Sequence, residues 1–89
     1  MKSKKQLFLF LNKEFNKKLD LDSDGVTNET YGNSSRIYLW GIKKIYGIPR
    51  KELENKIIDA GFKVNQNWNK GADSTEVSVS YFKGWHWDE

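Results

Sequence analysis

The chain has 89 residues, is 15% aromatic, contains no cysteine and carries a formal net charge of +3. That length suits one domain over 1–89, which can bury only roughly 60–65% of the surface its unfolded chain exposes. Without cysteine, disulfides and thiolate metal sites are excluded. Stability must come from a core, and Phe and Trp supply bulk for one.

The charge is blocked along the chain. Residues 1–18 carry six lysines and one glutamate, or +5, and residues 19–35 carry four acids, or −4. Residues 36–56 return to +4, with six bases and two acids, and residues 57–89 fall to −2. Such asymmetry points to a face for a charged partner. Its alternative is a set of solvated helix faces.

The N-terminus imitates a signal peptide: Lys2, Lys4 and Lys5 precede Leu7-Phe8-Leu9-Phe10-Leu11. A secretory core needs about 7–15 apolar residues and a membrane span about 20. The run is too short for either, so a cytoplasmic protein without a membrane partner is expected.

Residues 4–19 are expected to be a helix. Leu7, Leu11, Phe15 and Leu19 recur every fourth residue, with Phe8 beside them, and no Gly, Pro or β-branched residue interrupts. A short buried strand at Leu7–Leu11 is the competing reading.

A loop is expected over 20–35, opening with Asp20-Leu21-Asp22-Ser23-Asp24-Gly25-Val26-Thr27-Asn28-Glu29. Calcium takes about 6–8 oxygens, and alternating acids running into a glycine can wrap around it. The stretch resembles calcium loops of the EF-hand, dockerin and thrombospondin type-3 kinds. That resemblance implies Asp20, Asp22, Asp24, the Val26 carbonyl and Glu29 as ligands, with calcium the one cofactor candidate. Tyr31 stands where an EF-hand starting at Asp20 needs its bidentate Glu, and Glu29 comes two places early. A solvated acidic turn explains the same residues.

A second helix is expected over 36–46, because Tyr38, Ile42, Ile45 and Tyr46 share a helical face and Gly47 suits its end. Arg36-Ile37-Tyr38-Leu39-Trp40 is also a fair strand. A third helix is expected over 49–60. Pro49 fits its first turn, Leu53, Ile57, Ile58 and Ala60 face inward, and Gly61 stops it.

The remainder predicts a hairpin, with strands near 62–68 and 76–82. Phe62, Val64, Gln66 and Trp68 alternate with polar residues, as do Val77, Val79 and Tyr81. The expected fold class is therefore α+β: three helices followed by a β-hairpin, winged-helix-like.

Ile42 to Leu53 resembles a helix-turn-helix, with Gly47 as its turn glycine. That resemblance implies a second helix presenting Arg50, Lys51, Asn55 and Lys56 to DNA. Arg and Asn read base edges while Lys neutralises phosphate. Arg36, Lys43 and Lys44 complete the basic block. Lys43 stands where the motif prefers a small residue, and Lys56 where it prefers an aliphatic one. On an extended strand at the C-terminus, Tyr81, Lys83, Trp85 and Trp87 would face one way. Trp85 and Trp87 are candidate partner contacts, since exposed Trp anchors protein interfaces and also stacks on single-stranded bases.

Catalysis finds little support. His86 is the only histidine, sits between two tryptophans, and has no assignable nucleophile. The glycines form no phosphate-cradling pattern. The chain is expected not to be an enzyme. Compact, cysteine-free, blocked in charge and rich in Lys, Asn and Ile, it is similar in style to phage or mobile-element accessory proteins of the anti-CRISPR class. That likeness rests on no shared motif. It implies a host nuclease or nucleoprotein complex as partner. The rivals are a winged-helix regulator that binds DNA directly and a calcium-stabilised interaction domain.

Overall fold

A computed structural model describes residues 4–31, 34–64 and 76–81. The protein is α+β. In chain order it runs α1 (Lys4–Phe15), β1 (Val26–Tyr31), β2 (Ser34–Leu39), α2 (Ile42–Tyr46), α3 (Arg50–Asp59) and β3 (Val77–Tyr81). Helices and strands interleave, so the expected succession of three helices and then a hairpin is corrected.

β2 is the centre of a three-stranded antiparallel sheet ordered β1-β2-β3. Val26, Leu39 and Val77 form one row across it, and Asn28, Ile37 and Val79 the next. Val64 extends the second row through an isolated antiparallel bridge to Val79. Paired residues share a face, so Val26, Ile37, Leu39, Val64, Val77 and Val79 present one apolar surface. All six are buried.

The helices bury their apolar stripes in the same core. Leu7, Phe8 and Leu11 come from α1, Ile42 and Tyr46 from α2, Leu53 and Ile57 from α3, and Phe62 from just beyond α3. A fully buried side chain of this kind contributes roughly 1.5–3 kcal/mol, which a small cysteine-free domain needs from each.

The first helix is shorter than the expected 4–19. It ends at Phe15 because Asn16 takes a left-handed φ of 54°, which Asn tolerates better than most residues. Lys17 N–H then bonds back to the Asn12 carbonyl at 3.0 Å. The Asn12 side chain clasps Leu19 in both directions: its Nδ2 donates to the Leu19 carbonyl at 3.0 Å, and Leu19 N–H donates to its Oδ1 at 2.7 Å. One side chain thus does what a strand partner would do, and it folds residues 16–19 back against the helix end.

The expected loop over 20–35 contains β1 and the start of β2. The strand escaped the sequence pattern because exposed Thr27 and Asn28 give it no apolar alternation. Backbone pairing to β2 holds it instead. The expected helix over 36–46 is also corrected. Ile37 and Leu39 point inward with period two, so the strand alternative for Arg36–Trp40 is the observed one, ending at Leu39. The helix survives only as α2.

The third helix matches its expectation closely: Pro49 precedes its first turn and Ala60 follows its last. Gly61 N–H bonds the Ile58 carbonyl at 2.9 Å and Phe62 N–H the Ile57 carbonyl at 3.2 Å, which satisfies two end carbonyls. Of the expected hairpin, β3 and Val64 are in place. Gln66, Trp68 and the 69–74 turn lie outside the described residues. Among those described, no helix is long and apolar enough to cross a membrane.

Candidate interaction surfaces

The acidic turn is organised by its own side chains. Asp20 Oδ1 accepts from Asp22 N–H at 2.9 Å, and Ser23 Oγ accepts from Asp20 N–H at 2.9 Å. This is an Asx-type turn, one of the two readings open from the sequence. Asp20, Asp22 and Asp24 face solvent. Val26 has entered β1, and Glu29 lies three residues along it, in register with Arg36. The structure does not gather the five expected ligands. Among the described residues no group of three or more His, Cys, Asp or Glu is placed to hold a metal ion.

Gly25 answers a packing demand. Its φ is +83°, and a Cβ there would collide with the Ile45 side-chain tip and come within 2.9 Å of the Trp40 carbonyl. The Gly25 carbonyl accepts from Trp40 N–H at 2.9 Å. Only glycine lets the turn, the end of β2 and α2 approach so closely.

α2 and α3 follow one another across a short turn at 47–49. Gly47 closes α2 with φ 74° and donates its N–H to the Lys43 carbonyl at 2.9 Å. The expected DNA-reading set is nevertheless partly engaged within the protein. Arg50 Nη1 donates to Glu54 Oε2 at 2.7 Å, and that carboxylate-bearing side chain is only 3% exposed. Lys56 Nζ donates to Glu14 of α1 at 3.3 Å. The exposed residues of α3 are Lys51, Glu52, Asn55 and Asp59, whose charges sum to −1. Arg36 is half-buried on β2, while Lys43 and Lys44 are fully displayed on α2. Trp85, Trp87 and His86 lie outside the described residues.

Two features were missed in the sequence. Trp40, the residue after β2, is 42% exposed. Its indole N–H donates to Thr27 Oγ1 at 3.2 Å, which fixes a large ring at the rim of the sheet. The available signal was positional: in a strand where Ile37 and Leu39 point inward, residue 40 points outward. The second feature joins two helices. The Phe15 and Tyr46 rings meet edge-on, with centroids 5.0 Å apart and planes at 68°. Burial pushes the Tyr46 hydroxyl up to about 12, so the phenol stays neutral through the ordinary pH range.

Comparison with known proteins adds no relative: no family model matches the chain, and neither a curated protein nor a solved structure does.

Proposed function

We propose that the chain is a non-enzymatic binding protein that engages a protein partner, as a phage-type, anti-CRISPR-like inhibitor engages a host nuclease or nucleoprotein complex. Trp40 carries this reading. A tryptophan whose indole N–H bonds Thr27 Oγ1 while its ring stays open to solvent is oriented before a partner arrives, which lowers the entropy cost of docking on it. Such residues dominate binding energy at protein interfaces. The state of Glu54 supports the non-enzymatic part. It is the only buried carboxylate among the described residues, and its side chain is taken up in an ion pair with Arg50 at 2.7 Å.

A winged-helix DNA-binding regulator is the second reading, and one observation favours it. The α2–Gly47–α3 unit leads directly into the antiparallel Val64–Val79 bridge, where a wing would begin. The net negative outward face of α3 argues against it, because DNA affinity rests on neutralising phosphates.

The test is titration calorimetry of the protein against purified guide-loaded RNA-guided nucleases, with Trp40→Ala alongside. We expect stoichiometric binding that Trp40→Ala weakens at least about tenfold, the loss of a typical anchor. If Trp40→Ala binds as tightly as the parent, or if no effector is bound and target cleavage proceeds unimpeded, this reading fails.

A further inference from the structure

We propose that the end of α1 and the outer side of α2 form a sequence-independent seat for a phosphodiester backbone, built from Lys13, Lys17, Lys18, Lys43 and Lys44. This goes beyond the protein-partner reading and does not depend on it. All five lysines are exposed. Ion pairs of the described residues include Arg50–Glu54, Lys51–Glu54 and Lys56–Glu14, and none seen among the described residues takes up any of the five. The one acid on that stretch of α1, Glu14, is already taken by Lys56.

The Phe15–Tyr46 contact brings the two lysine groups together. Lys13 lies within the last turn of α1, two residues before Phe15. Lys17 and Lys18 follow in the segment that Asn12 folds back. On α2, residues advance about 100° each. Ile42 and Tyr46 point into the core, which turns Lys43 and Lys44 outward, with Lys43 on the Tyr46 flank. Ile45 occupies the opposite flank, where it meets Gly25. The Gly25 end of the acidic turn therefore lies on the flank of α2 opposite Lys43.

The kind of anion follows from what the surface lacks. Among the described residues it carries no arginine fork and no exposed aromatic ring, since the Phe15 and Tyr46 rings pack on each other. A protein interface without such an anchor is weak, and single-stranded bases would find nothing to stack on. Lysines acting as point charges suit phosphates, whose contacts position a nucleic acid without reading its sequence. This mode differs from a winged-helix reader, which would use α3 and discriminate bases.

The experiment is fluorescence anisotropy with two labelled duplex DNAs of unrelated sequence, a duplex RNA and a single strand, at about 50 and 200 mM salt. If each lysine neutralises one phosphate, affinity for duplex DNA falls roughly 500-fold across that range, equally for both sequences. The double variant Lys17→Glu/Lys43→Glu should lose at least about thirtyfold at low salt while keeping the parent's melting temperature, and Lys51→Glu on α3 should change affinity less than about threefold. The RNA and single-strand arms identify which backbone is preferred. No duplex binding at low salt overturns the proposal. So does a Lys51→Glu loss as large as that of the double variant, or a polyglutamate peptide of equal charge that binds as tightly as the duplexes.

Discussion

Arg50 Nη1 donates to Glu54 Oε2 across one turn of α3 at 2.7 Å, and the acid is almost wholly enclosed. This bond defines what Arg50 is for. Lys51 stands 4.0 Å from the same carboxylate on a 66% exposed side chain, too distant and too hydrated to replace it. Arg50→Ala should therefore destabilise the fold by about 2 kcal/mol, because it leaves a buried charge without its partner. Arg50→Met/Glu54→Leu should recover most of that loss, since both charges leave together. Urea unfolding of the parent and both variants checks this. An Arg50→Ala protein as stable as the parent would return Arg50 to the set of free surface bases.

Gly25 and Ile45 are coupled by contact. Gly25→Ala places a methyl against the Ile45 tip and the Trp40 carbonyl in a left-handed conformation. The backbone term is about 1 kcal/mol and the overpacking term about 1–3 kcal/mol. Ile45→Val removes the terminal methyl that is struck and leaves the Trp40 carbonyl where it is. The double variant should regain part of the lost stability but not all of it, a positive coupling in a double-mutant cycle. Additive losses would mean that strain at Gly25 is carried by the backbone alone.

How much was legible in the sequence differs element by element. α1 and α3 were readable because Leu7, Leu11 and Phe15, or Leu53 and Ile57, repeat at helical spacing against a strong core. α3 also carried both its stop signals, Gly61 and Phe62. β1 was not readable: Thr27 and Asn28 face solvent, and the strand is specified by pairing with β2, a long-range cause. Within the Asp20–Glu29 stretch, Asp20 with Ser23 makes the turn and Gly25 makes room for Ile45, a packing demand that spacing alone does not reveal. β2 was misassigned because Tyr38 happens to fall in helical phase with Ile42, Ile45 and Tyr46 across the Gly41 break. At the candidate site, Arg50 and Glu54 stand four apart and their pairing was visible in principle. The Lys56–Glu14 pair spans 42 residues and was not.

The acidic turn yields a direct comparison between turn chemistry and ion binding. Asp20 accepts from Asp22 N–H at 2.9 Å with no ion needed. Asp20→Ala should cost about 1 kcal/mol, the value of one local side-chain to backbone bond. The loss should be equal in excess chelator and in millimolar calcium, measured by thermal unfolding. A melting temperature that rises with calcium in the parent but not in Asp20→Ala would instead assign the loop to calcium, because an ion that binds only the folded state stabilises it by mass action.

Asn12 is a second single-residue device. Its amide gives and receives a bond with Leu19, so Asn12→Ala loses both and should cost about 1–3 kcal/mol. Asn12→Asp distinguishes the two bonds. A carboxylate still accepts from Leu19 N–H but can donate nothing and sets negative charge against the Leu19 carbonyl. It should rescue less than half of the alanine loss at neutral pH and more of it below the carboxylate range, where the protonated acid donates again. Because the clasp also folds back Lys17 and Lys18, hydrogen exchange at the Leu19 amide should accelerate in Asn12→Ala.

Tyr46 makes stability depend on alkaline pH. Burial favours its neutral form and raises its hydroxyl from 10.0 to about 12. The folded state therefore holds its proton where the unfolded chain has released it. Stability from this group is fully present below about pH 10 and is lost as pH climbs toward 12. Two units correspond to roughly 2–3 kcal/mol. Lys4 acts in the opposite direction, since burial lowers its pKa from 10.5 and the penalty on its charged form fades as pH rises. Tyr46→Phe isolates the phenol, because the ring still meets Phe15 and Lys4 is unchanged. The stability of the parent relative to Tyr46→Phe should be constant from about pH 7 to 9.5 and then fall steadily above 10. A difference that stays flat up to about pH 11.5 would show that the hydroxyl reaches solvent, and the Phe15–Tyr46 junction would then be looser than its edge-on contact implies.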